Sequence, residues 1–190
     1  RMEVDSSITV QRRFRKPRRK VIFYPVSKDE SLEKKTYVSV GLKLHKSTDN
    51  EHCLGFHVLN QILLNTEASP LRKALIDSGL GSEVIGGGFD DQRLETAFVV
   101  GLKGTEKEHE NAIIDLIFST LRGLVENGID GKMMEAAMNT VEFRLREANF
   151  GGFPKGIAYN IHSLSSWLYD ADPLMHLRYE DVLVKIRRKA

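Results

Sequence analysis

Apolar residues along the chain recur with two periods, and the period changes mark the elements. Val38, Val40, Leu42 and Leu44 alternate with Ser39, Gly41 and Lys43, the period of a half-buried strand. Leu94, Thr96, Phe98, Val100 and Leu102 predict another strand in the same way, and the apolar run Val21 to Val26 predicts a further one, joined through the polar Ser27 to Lys35 stretch. Between and after them the spacing becomes helical. Thr48-Asp49-Asn50-Glu51 has the form of a capping box and opens a helix to about Leu64; Ser69-Pro70 opens a second that stops at Ser78-Gly79. Thr105-Glu106-Lys107-Glu108 is a second capping box, ahead of a stripe of Ile113, Ile117, Leu121 and Leu124 that ends at Asn127-Gly128. Met134, Ala137, Met138, Val141 and Leu145 form the next stripe, with the methionines as core fillers. It leads to the break at Asn149-Phe150-Gly151-Gly152-Phe153-Pro154. Ile157, Ile161, Leu164 and Leu168 predict a helix closed near Asp172-Pro173, and Val182, Leu183 and Ile186 begin a last one. This grouping predicts an α+β fold, an antiparallel sheet with helices packed on one face.

Composition limits the class. The 190 residues suffice for an apolar core, and a lone cysteine, Cys53, with no Asn-x-Ser/Thr acceptor, gives no sign of a secreted disulfide framework. No apolar run reaches the ~18 residues of a membrane span, so no membrane partner is expected. The net charge of +2 conceals an asymmetry: residues 1–20 hold eight basic and two acidic side chains, leaving 20 and 24 for the remainder. Seven cations in the nine positions Arg12 to Lys20 read as an extended, solvated basic lead-in, with residues 21–190 as one α+β domain. Such a run can also serve as a phosphate-binding or nuclear-import patch, but without interleaved stacking aromatics it is a weak nucleic-acid signal. With arginine at position 1, the chain is expected to be a piece of a longer protein.

Several catalytic patterns fail on their own terms. Gly86-Gly87-Gly88 completes no G-x-G-x-x-G, and Gly79-Leu80-Gly81 has Val84 where the third glycine belongs. Leu102-Lys103-Gly104-Thr105 carries phosphate-loop residue types in the wrong order. Cys53 has no partner cysteine, and with His52 beside it reads as a buried helical thiol rather than a nucleophile pair. His109-Glu110 lacks the second histidine of H-E-x-x-H. The inverted form H-x-x-E-H fails after His57, where Asn60 and Gln61 stand in place of the acid and second histidine. One imidazole and two amides make a poor zinc donor set, with no carboxylate to act on a metal-bound water.

The stretch Leu54 to Leu75 followed by Asp77-Ser78-Gly79-Leu80-Gly81 nevertheless resembles the pitrilysin/insulinase superfamily of inverzincin metallopeptidases, and within it the presequence protease and falcilysin branch. The resemblance continues through Gly86-Gly87-Gly88, Val100 to Gly104, Met138 to Glu147 and Trp167 to Pro173, covering the chain from about Ser7 to Ala190. Members of that branch have four related domains around a closed chamber, the first carrying the active zinc motif. The chain resembles the second, noncatalytic domain, which implies a roll like that of the mitochondrial processing peptidase. It also makes His57, Asn60 and Gln61 a degenerate copy of the zinc helix.

By the same resemblance, a substrate exosite that works by strand addition would fall at Leu64, Val84, Ile85 and Gly86. Leu64 departs from the glycine usual there. Read from the residues alone, the glycines either leave a main-chain edge accessible or form a bulge or turn between strands. The resemblance implies a peptide substrate, the other domains of the same polypeptide as partners, zinc in the parent protein but no cofactor in this stretch, and an organelle or a parasite digestive compartment as location. The expectation is no catalytic residue, no stoichiometric zinc and no cleavage by these 190 residues alone. Two other readings stand beside it: a catalytically dead homologue like the core subunits of respiratory complexes, and a nucleic-acid module acting through Arg12 to Lys20.

Overall fold

The computed structural model describes residues 9–12 and 14–189. The chain divides into two units, residues 1–32 and 33–190. In the first, the described residues form neither helix nor strand. The expected strand from Val21 to Val26 is therefore absent: Ile22 and Phe23 are exposed, Phe23 to 92%, and Pro25 removes a ladder donor from so short a run. In the basic lead-in, the Arg18 guanidinium lies 4.6 Å from the centre of the Phe14 ring. Residues 1–8 and Arg13 of that segment fall outside the described residues.

The second unit contains a three-stranded antiparallel sheet, β1 (Thr36–Lys46), β2 (Glu83–Asp90) and β3 (Glu95–Thr105), in the order β1-β3-β2. Val38 faces Leu102, Val40 faces Val100 and Leu42 faces Phe98, so the predicted alternation puts one apolar face of both strands together. Helices α1 (Asn50–Leu63), α2 (Pro70–Asp77) and α3 (Glu110–Asn127) supply the cover. Val38, Phe98, Val100 and Leu102 are buried with Leu63, Leu64, Leu71, Leu75, Ile113 and Ile117. Helices α4 (Gly131–Glu147) and α6 (Glu180–Lys189) form a second core on α1, where Leu54, Val58 and Ile62 meet Ala137, Met138, Val141 and Leu183. Helix α1 thus lies between two apolar clusters, and its four-residue spacing of Leu54, Val58 and Ile62 supplies the outer seam.

Two local expectations change. The cap of α1 is Asp49 rather than Thr48; its carboxylate accepts from the His52 backbone N–H at 3.2 Å. Thr105 does not cap a helix. It ends β3, where it is buried, and a short 3-10 turn over Lys107–His109 leads into α3 instead, because pairing with Thr36 keeps Thr105 in the sheet.

Helix α5 (Lys155–Trp167) forms where expected but ends at Trp167, short of Asp172-Pro173, and among the described residues its apolar stripe joins neither buried cluster. Ile157 and Ile161 are exposed, and Trp167 and Leu168 are 63% and 69% exposed. Among the described residues, no helix is long and apolar enough to cross a membrane.

Candidate functional site

The degenerate zinc motif implied by the resemblance falls on α1, and His57, Asn60 and Gln61 are each engaged by protein. His57 Nε2 lies 2.8 Å from Asp91 Oδ2, and its ring stands edge-on to Phe89 at 5.0 Å. Asn60 Oδ1 accepts from the Phe89 N–H at 3.3 Å. Gln61 is buried, and its Oε1 accepts from Arg144 Nη1 at 3.0 Å and from Asn65 Nδ2 at 3.1 Å. The first two tie α1 to the end of β2, and the third ties it to α4. One imidazole and two amides, both amide oxygens already accepting hydrogen bonds, do not fit a zinc ion. The positions that carry metal chemistry in an inverted zinc motif here brace a helix between a sheet and a second helix.

Charge near this helix follows the same bracing. Burial pushes the Asp91 carboxyl up, but the His57 hydrogen bond and charge, helped by His176, outweigh it and hold Asp91 below the usual carboxylate range. Burial lowers His176, although the Asp91 charge acts in the opposite sense. His176 Nδ1 and Asn50 Oδ1 lie 3.3 Å apart. Cys53 is buried and its thiol is pushed up to about 12, by burial first and then by the charges of Asp91 and Asp49. A thiol so far from ionising at neutral pH is no nucleophile.

Of the exosite residues implied by resemblance, Val84, Ile85 and Gly86 lie on β2, an edge strand of the sheet. Gly86 is exposed and the other two are half-buried. The glycines make a bulge rather than a turn. Ile85 pairs with Gly101 and Gly88 with Val99, so β2 holds one more residue than β3 across this interval. Gly86 has φ 107°, and a Cβ there would stand 2.4 Å from the Val99 carbonyl oxygen. Leu64 is elsewhere: its side chain is 6% exposed and belongs to the core, so it underlies the strand and does not line the edge. A Cβ added to Gly88 would approach Leu64 Cδ1 to 3.0 Å.

Four residues are brought into place without a motif to mark them. Asp91 is 34 residues from His57, Arg144 is 83 from Gln61, and only the fold joins them. His45 and His52 are seven apart, a spacing outside every zinc pattern, and the turn between β1 and α1 brings their rings to a stacked 3.8 Å.

The family described as Peptidase M16 inactive domain matches residues 4–141. The chain is 40% identical over 185 residues to Protein HypA of Clostridium perfringens, covering 97% of this chain and 19% of that protein. It is also 40% identical to Presequence protease 1, chloroplastic/mitochondrial, of Arabidopsis thaliana, over 97% of this chain and 17% of that one. It thus spans less than a fifth of these relatives' length. Among solved structures, the inactive peptidase domain of a zinc-protease candidate from Bordetella parapertussis superposes with a TM-score of 0.62 at 18% identity, covering 80% of this chain and 82% of that one. The three positions His57, Asn60 and Gln61 are all taken up in hydrogen bonds within the protein, and with the family match over residues 4–141 the chain belongs to the M16 peptidases, as their inactive domain.

Proposed function

We propose that the chain is the noncatalytic domain of a zinc-dependent endopeptidase that degrades unfolded peptides, and that it helps wall the substrate chamber and receives extended peptide along β2. The observation that carries the reading is the edge position of β2 together with its bulge. Among the described residues, in the order β1-β3-β2, β2 has one neighbour and presents its other side without a strand partner. An extended peptide added there would be held mainly through its backbone, which suits broad sequence tolerance. Val84, Ile85 and Gly86 form the receiving edge, and Leu64 supports it from the core.

Zinc, base and the remaining chamber walls belong to the rest of the polypeptide, and presequence proteases named as mitochondrial or chloroplastic support an organellar location. The exposed Ile157, Ile161 and Trp167 on α5, with Leu168 just beyond its end, support docking against those other domains, because such an apolar surface is costly to leave in water.

Hydrogen exchange with an unstructured peptide tests the exosite. Added peptide is expected to slow exchange of the Val84 to Gly86 amides, and an alternately N-methylated peptide is expected to lose that effect. Slowing confined to other elements would overturn it.

A further inference from the structure

Against the expectation of no metal in this stretch, we propose that His45, Asp49 and His52 form a binding site for a divalent transition-metal ion of the nickel, copper or zinc class, separate from the His57, Asn60 and Gln61 positions on α1. His45 stands near the end of β1, Asp49 is the cap of α1 and His52 lies in its first turn. One ligand atom from each side chain lies within 4.8 Å of the other two. Two imidazoles and a carboxylate suit borderline divalent ions better than magnesium or calcium, which prefer all-oxygen sets.

The backbone beneath is fixed, and the three side chains already touch one another: the His45 and His52 rings stack at 3.8 Å and Asp49 Oδ2 lies 2.7 Å from His52 Nδ1. Thr96 Oγ1 donates to the His45 carbonyl at 2.9 Å, and the Ser47 N–H donates to the Leu94 carbonyl at 2.8 Å. The Asp49 N–H closes the turn onto the Lys46 carbonyl at 3.0 Å. Above this frame the Asp49 and His52 side chains are 44% and 49% exposed. Metal bonds of about 2.0–2.2 Å place ligand atoms roughly 3–3.5 Å apart, so the Asp49–His52 pair at 2.7 Å would open slightly while no ligand atom starts more than 4.8 Å from the others.

The carboxylate divides its work. Oδ1 keeps the helix cap on the His52 N–H, while Oδ2, now 2.7 Å from His52 Nδ1, turns to the ion. An ion there clips the end of β1 to the start of α1. The site is independent of the exosite reading, since it shares no residue with β2.

Ni²⁺ titrated calorimetrically into the chain is expected to show one micromolar site. His45→Gln and His52→Gln are each expected to weaken it at least tenfold, while His57→Gln leaves it unchanged, which separates this site from the degenerate motif. Paramagnetic broadening by the bound ion should centre on the His45 and His52 ring resonances. Absence of heat and broadening, or binding unchanged in His45→Gln and His52→Gln of intact circular dichroism, would overturn the proposal.

Discussion

Gln61 Oε1 accepts from Arg144 Nη1 at 3.0 Å, joining the buried last turn of α1 to the far end of α4 across 83 residues of sequence. Removing the amide strips both Arg144 and Asn65 of their acceptor. Gln61→Ala should therefore cost about 1–3 kcal/mol, and Arg144→Ala less, about 0.5–1.5 kcal/mol, because Asn65 still satisfies the buried oxygen. Urea unfolding of the two variants and of the double variant measures the coupling.

Gly88 tolerates no side chain. Its φ is 78°, and a Cβ would stand 1.8 Å from Asn60 Oδ1, the acceptor that holds the Phe89 N–H. Gly88→Ala should destabilise by about 2 kcal/mol or more, combining backbone strain with displacement of that side chain. Gly87→Ala meets no atom within 4 Å and carries only the strain of φ 72°, so the smaller loss of thermal midpoint should be its own.

The acid limb of stability should depend on Asp91. Its carboxyl is lowered in the folded protein, so the stability it contributes is complete above the ordinary value of 3.8 and is lost as the pH falls through the folded value. Asp91→Asn should flatten the fall in stability below about pH 4, measured by denaturant unfolding along a pH series. An unchanged slope would show that the His57 contact contributes nothing on folding.

Cys53 should be inert in the native protein. Buried, with its ionisation pushed up to about 12, it should react with iodoacetamide at pH 8 only at the rate at which its surroundings open. Labelling followed by mass spectrometry with rising urea measures this, and prompt labelling without denaturant would contradict the burial.

The α5 stripe and the sheet core should respond oppositely to substitution. Ile117→Ala empties a fully buried position and should cost about 2–5 kcal/mol, whereas Ile161→Glu, at an exposed position, should stay within about 0.5 kcal/mol and raise solubility. Thermal unfolding and sedimentation of both variants distinguish the two faces.

What was legible in the sequence was periodic. The alternation around Val38 to Leu44 and Leu94 to Leu102 marks two strands, and the stripes of α3 and α4 mark their buried faces, because local spacing alone decides which side chains share a side. Val21 to Val26 shows the limit, since an apolar run becomes a strand only with a ladder partner. The α5 stripe shows another: periodicity makes the helix, but only a neighbouring surface makes it core. The loss of zinc ligands was visible at Asn60 and Gln61, while what those amides do instead was not, because Phe89 and Arg144 are brought to them by tertiary folding.

The bulge in β2 has a geometric role of its own. Val84 faces Leu102 and Phe89 faces Phe98, so two residues an odd number apart on β2 look toward the same side as two an even number apart on β3. The additional residue among the glycines resets the strand's parity. Straightened to the ordinary pitch with all its residues, the strand could turn inward Val84 or Phe89 but not both, whereas deleting one of Gly86, Gly87 and Gly88 would leave the two four apart and in step with Leu102 and Phe98, so the bulge is what reconciles an odd count with a common face.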